Sequence, residues 1–308
     1  MQSFPPHARS VALMLIAPVL WSMAGVFVRQ LEAAARWELV FLRSWFCVLA
    51  MLLFGAALYR RDLIDRLRKL GWEGWLSGAL WSVQFTCFML ALTYTSVAST
   101  IIIISLAPLI ATILAWLILK ERVVLRTWVI VTVAVAGVIV IFWADLGAGG
   151  WVGNLIALAV PVAAGANWVL LRALHADVDL VMAVLVGGVI AGAASLPLAL
   201  PLQATAADVG ILAFLGFFQL ALPCVLAVIA ARHLSPTEMG LLGLLEVVLG
   251  PLWAWLWAGE QPAGGTLTGG GIILAAMAVE AIARGRGARP NRRCVQPLRS
   301  TIRSKSAP

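Results

Sequence analysis

The sequence predicts an all-α integral membrane protein of ten transmembrane helices, arranged as two inverted five-helix repeats. Three observations lead there. The 308 residues are 62% apolar and only 12% charged, against about 25% charged in an ordinary soluble domain. The apolar residues fall in long runs of membrane-crossing length. A pattern in the fourth run returns in the ninth.

So few charges cannot coat a globule of this size, so the exposed surface must meet lipid rather than water. A spanning helix needs roughly 20 apolar residues, since a ~30 Å core is crossed at ~1.5 Å per residue. Uncharged runs cover residues 10–28, 74–119, 127–144, 146–171, 180–207, 209–231 and 261–279. Two more, 37–59 and 239–259, each hold one deep charge, Arg43 and Glu246. The run 74–119 is long enough for two crossings, and Tyr94-Thr95-Ser96 is the polar cluster near its middle, so the turn belongs there. The expected spans are 10–29, 37–58, 73–93, 97–119, 125–143, 152–172, 179–199, 208–231, 237–258 and 264–283.

The net charge of +8 raises the question of nucleic acid. The basic residues instead concentrate in the tail from Arg284 and between Arg60 and Lys69, with no basic helix interleaved with stacking aromatics. They fit the positive-inside pattern. With a cytoplasmic N-terminus, the inside segments hold 19 Lys and Arg and the outside loops only Arg29 and Arg36. Both termini are therefore expected in the cytoplasm, in a cell (inner) membrane. The first apolar run is too long for a signal-peptide core and lacks a small-residue cleavage site, so it reads as a retained helix. The tail 285–308, rich in Arg, Ser and Pro, is expected to be disordered.

Helices four and nine share a pattern. Ser96, Trp116 and Glu121 recur as Ser235, Trp255 and Glu260, each offset by 139 residues. Ala17-Pro18-Val19-Leu20-Trp21 has a weaker echo in Ala164-Gly165-Ala166-Asn167-Trp168. The chain thus divides near Gly147-Ala148-Gly149-Gly150 into units 1–146 and 147–284. Five is odd, so the second unit must enter the membrane in the opposite sense. Inverted repeats are a common design of secondary transporters, with the site near the midplane between the halves.

The sequence resembles the EamA-type branch of the drug/metabolite transporter superfamily. Leu106-Ala107-Pro108-Leu109 and Leu119-Lys120-Glu121-Arg122 carry the likeness in the first half, and Leu244-Leu245-Glu246 with Gly259-Glu260 in the second. Trp21, Arg43 and the Tyr94-Thr95-Ser96 turn also fit. One departure stands out: the family has Pro after the helix-nine Glu, whereas here Val247 follows and Pro251 comes later. The resemblance implies alternating-access transport of small metabolites, such as export of amino acids or drug-like compounds. Uptake or exchange of one metabolite is the alternative within transport. An integral membrane enzyme or assembly factor is the alternative of another class, but its candidate charges, Glu38 with Arg36 and Asp177 with Asp179, read more simply as solvated loop groups.

Glu246 is the most informative residue. It lies about ten residues from either end of its span, where an ionised carboxylate must face a cavity, pair or be protonated. It is a candidate both for binding a substrate amine and for carrying a coupling proton; the plainer reading is a structural hydrogen bond. Arg43 either clamps a substrate carboxylate or pairs with Glu38, a backbone carbonyl or Glu246. Gln84, Asn167 and Gln219 are deep amides on three helices, each of which could be interhelical glue. Together with Glu246 they suggest a polar midplane cavity. Trp21, Trp81 and Trp168 occupy the same depth as substrate-binding candidates, with packing or lipid contact as the plainer reading. Trp81 and Phe85 share one helix face. Gly188 and Gly192 allow close helix approach, within the bundle or in a homodimer. Cys47, Cys87, Cys224 and Cys294 form no metal or redox motif, the histidines are isolated, and nucleotide-binding and hydrolase signatures are missing. The expected partners are a small-molecule substrate and the lipid bilayer, with no nucleic acid, no metal and no cofactor.

Overall fold

Without water to satisfy their peptide groups, runs of about 20 apolar residues cross lipid as helices. Helices make up this protein. The computed structural model describes residues 6–59, 62–120, 123–146, 150–173, 179–230, 233–234 and 236–287. Glu121, Arg122 and Ser235 of the repeat pattern lie outside the described residues. So do Asp177, the expected boundary glycines at 147 and 149, and the expected tail from 288 on.

The first expected span is built from α1 (Pro6–Ser22) and α2 (Ala24–Val28), which meet at Met23. Then come α3 (Arg36–Tyr59), a short α4 (Leu63–Arg68) that the sequence reading missed, and α5 (Gly71–Tyr94). The fourth span is α6 (Val97–Ile104) followed by α7 (Ala107–Leu119). Pro108, in the first turn of α7, explains the interruption: it has no N–H to give the Ile104 carbonyl. Next are α8 (Leu125–Leu146), α9 (Trp151–Ala173) and α10 (Leu180–Ala199). The eighth span starts as α11 (Ala206–Phe214), widens into a π-helical segment (Leu215–Ala221) and ends as α12 (Leu222–Ala230). The chain closes with α13 (Pro236–Ala258) and α14 (Gly264–Gly287). Among the described residues eight helical stretches are long and apolar enough to cross a membrane. The described apolar parts of α13 and α14, Leu245–Ala258 and Gly264–Ala276, are shorter. α13 runs unbroken where its repeat partner is interrupted. Val247 occupies the position corresponding to Pro108 and keeps the N–H that proline lacks.

In lipid, helices gain little by hiding apolar surface from one another, so close packing of small residues holds the bundle together. α3 lies along α10, α5 along α9 and α10, α8 along α14, and α1 along α12 and α13. Gly188 and Gly192 serve the first of these pairs. A Cβ on Gly188 would stand 2.9 Å from a Val48 methyl, and one on Gly192 2.9 Å from the Trp45 indole nitrogen. The glycine pair is thus used within the chain, against α3.

The loops sort to two ends. At one end α2 stops at Arg29, α5 turns into α6, and Ala144 of α8 meets Gly265 of α14. The loops 29–35 and 200–205 are clasped together at the same end. Asp208 accepts backbone hydrogen bonds from Glu32, Ala33, Ala34 and Thr205 at 2.8–3.1 Å, and Glu38 accepts from Gln203 and Ala35. Glu38 is completely buried, which corrects its reading as a solvated loop charge. At the opposite end Arg66 pairs with Asp179 at 3.0 Å, and Ser10 meets His233.

Candidate functional site

Arg43 enters from two turns into α3 and is 2% exposed. Its Nη2 donates to the Gln219 Oε1 at 2.8 Å. Gln219 sits in the π-helical segment and passes the connection on, its Nε2 donating to the Trp21 carbonyl at 3.0 Å. One amide thus ties α3, the eighth span and α1 together. The π-helical turn lies where Gly216 lets the segment press onto α3, a Cβ there meeting the Arg43 carbonyl at 2.8 Å. Such turns recur at functional sites.

Cys224, one turn further on in α12, is the common neighbour of the polar groups. It packs against Trp21 and lies within electrostatic reach of both Arg43 and Glu246. In the sequence Cys224 belongs to no metal or redox motif, and no local pattern marks it as a hub. Trp253, also unforeseen, donates its indole N–H to Ser22 Oγ at 3.0 Å and so joins α13 to α1. Phe88 places its ring 5.7 Å from the Arg43 guanidinium carbon, within cation–π range.

Glu246 differs from Arg43. It is set deep in the protein beside Cys224, yet part of its surface stays accessible. No hydrogen bond or ion pair among the described residues engages its carboxylate. Arg43 and Glu246 therefore form no ion pair with each other, and Arg43 takes Gln219 in place of Glu38.

The remaining candidates are more scattered. The Trp81 and Phe85 rings lie tilted on α5 with centroids 5.5 Å apart, and Trp81 packs with Trp21 against the cluster that contains Cys47 and Cys224. The Trp81 indole nitrogen, the Asn167 Oδ1 and the Arg43 Nε are buried without hydrogen-bond partners. Such orphans are costly unless something else meets them. Gln84 spends its Nε2 on the Leu80 carbonyl of its own helix and bridges to no other helix among the described residues. Trp168 is 63% exposed and stands outside the Arg43–Gln219 cluster. It continues at helical spacing the α9 stripe of Ala157, Pro161 and Ala164, towards the Asp179 end. An open groove lined by Asp62, Asp65, Arg66, Lys69, Leu70 and Asp179 lies at that end, away from these residues. Among the described residues no group of three His, Cys, Asp or Glu is placed to hold a metal ion.

The model of the EamA-like transporter family matches the sequence twice, over residues 8–143 and 151–280. The chain belongs to the EamA-like transporter family. It is therefore a multi-pass membrane protein of the drug/metabolite transporter superfamily, with the two-repeat architecture of that family. No curated protein matches the sequence of this EamA-like transporter. Among solved structures, one described as the crystal structure of a protein aligns with a TM-score of 0.64. It covers 90% of this chain and 98% of its own at 17% identity. At that identity the likeness shows a shared fold.

Proposed function

We propose that this EamA-like transporter is a secondary-active exporter of small metabolites, such as amino acids or drug-like compounds. It works by alternating access through a midplane cavity. The observation that carries the reading is the Glu246 carboxylate, enclosed, accessible and without a partner in the middle of α13. Charged groups at that depth are expensive, and one left unpaired on a cavity wall suits a task outside the fold itself. Glu246 binds a protonated amine of the substrate or carries the coupling proton, and the two occupancies exclude each other. That exclusion couples export to proton entry. Trp21, Trp81 and Trp168 supply apolar wall, and Asn167, Gln84 and Gln219 supply polar contacts to the substrate. Arg43, held by Gln219, contributes positive potential and its unused Nε.

The reading includes ten spans, as two five-helix units inserted in opposite senses and divided near residue 147. It is supported by α1 beginning near His233 while α9 begins near Thr95, at opposite ends of the bundle. The helix pairings support it too. α9 packs on α5 as α1 packs on α12, and α7 packs on α9 as α13 packs on α1. Both termini are assigned to the cytoplasm of an inner-membrane protein, on the bias of Lys and Arg.

The test is flux of a labelled amino-acid mixture in proteoliposomes, with and without an imposed pH gradient. Gradient-stimulated flux that is lost in Glu246→Gln is the expected result. Flux indifferent to the gradient, or an unimpaired Glu246→Gln, overturns the mechanism.

A further inference from the structure

Arg29, at the end of α2, and Glu260, just past α13, form an ion pair at 2.8 Å. Both reach onto the turn between α5 and α6. Arg29 donates from Nη1 to the Leu92 carbonyl at 2.7 Å and from Nη2 to the Thr95 carbonyl at 2.8 Å. Glu260 accepts from the Val97 N–H at 2.7 Å through its second oxygen. Leu92 is among the last carbonyls of α5 and Val97 is the first residue of α6, so these are backbone groups that the helices leave unsatisfied. The cation meets the negative end of one helix and the anion the positive end of the next. Gly259 adopts φ +66°, and the Glu260 N–H closes on the Ala254 carbonyl, which folds the carboxylate back over the end of α13.

Around this contact the two sides of the bundle are shut. A Cβ on Gly25 would strike Val97, and one on Gly250 would strike Ile101. Towards the Asp179 end the picture reverses. α7 packs on α9, α13 packs on α1, and among the described residues neither pair packs extensively on the other. α7 is partly accessible from Ile110 to Leu114 and exposed from Trp116 to Ile118. Among the described residues, close contacts between the two sides thus concentrate at the Glu260 end.

From this geometry we infer that the Arg29–Glu260 pair is the latch that closes the Glu260 end, by gripping both helix termini of the α5–α6 turn. The inference rests on the alternating-access reading above and adds the residues that must let go when this end opens. The pair suits a reversible contact. Its side chains are 30% and 17% exposed, whereas the Glu38 and Asp208 clasps beside it are buried completely. Opening separates Arg29 and Glu260 from the turn while those clasps hold the loops.

Hydrogen exchange of the full chain in lipid nanodiscs, without substrate, tests it. The peptide covering residues 95–104 contains the Val97 amide, and the peptide covering 180–190 reports on the α3–α10 packing. In Glu260→Ala and in Arg29→Ala, exchange at 95–104 should rise by about tenfold or more, with 180–190 unchanged. The double reversal Arg29→Glu with Glu260→Arg keeps an ion pair but sets each charge against the wrong helix end, so it should stay fast. Unchanged exchange at 95–104 in Glu260→Ala, or wild-type protection in the double reversal, overturns the latch. A parallel rise at 180–190 overturns it as well, because the pair then supports the whole fold. Exchange is read without flux, so a protein that transports nothing leaves this result standing, and a failed latch leaves the transport reading untouched.

Discussion

Arg43 and Gln219, 176 residues apart in the chain, meet through one 2.8 Å hydrogen bond from the Nη2 to the Oε1. A buried cation is thereby held by a neutral amide, with no carboxylate from the described residues against it. The amide is anchored in turn on the Trp21 carbonyl. The arrangement leaves Glu246 free of Arg43, while the Arg43–Gln219 bond links three helical segments.

The bond should register in a double-mutant cycle. Gln219→Leu strands the Arg43 guanidinium and frees the Trp21 carbonyl, at a cost of about 1.5–3 kcal/mol. Arg43→Leu carries its own cost, and the double variant should recover a coupling of roughly 0.5–3 kcal/mol. Unfolding in detergent measures all three. Strict additivity would mean the two residues act independently.

Glu246→Gln should separate function from stability. Its carboxylate has no protein partner to lose among the described residues, so the unfolding midpoint should stay level or rise. Gradient-driven flux should vanish. A marked drop in the midpoint would return Glu246 to a structural role.

Gly216→Ala tests how closely the π-helical segment must sit on α3. The added Cβ would face the Arg43 carbonyl at 2.8 Å and the Cys47 nitrogen at 2.9 Å, both backbone atoms that cannot swing aside. A loss of about 1–3 kcal/mol is expected from the overpacking. Gly210→Ala, in the middle of α11 with nothing within 4 Å, should be neutral in the same assay.

Asp208→Ala removes an acceptor shared by four backbone N–H groups, three from the α2–α3 loop and one from Thr205. A loss of about 2–4 kcal/mol is expected, since each orphaned donor carries a penalty of about 1 kcal/mol or more. Exchange of the amides at 32–34 should accelerate with it. Asp208→Asn, which keeps one acceptor oxygen, should fall between.

Hydropathy is a local property, and lipid demands a helix wherever about 20 apolar residues run together. That is why the turn expected at Tyr94-Thr95-Ser96 separates α5 from α6, and why the expected span 37–58 appears as α3. The place of Glu246 near the middle of α13 can be counted along the chain for the same reason. What the tertiary structure decided are relationships between distant segments. Arg43 could have paired with Glu38 or Glu246, and its choice of Gln219 depends on how α3 meets the eighth span. Glu38 and Asp208 look like loop charges until two loops fold onto them. Arg29 and Glu260 lie 231 positions apart, and only the convergence of α2 and α13 on the α5–α6 turn brings a cation to one helix end and an anion to the other. A sequence states which groups need partners, and packing in three dimensions selects them.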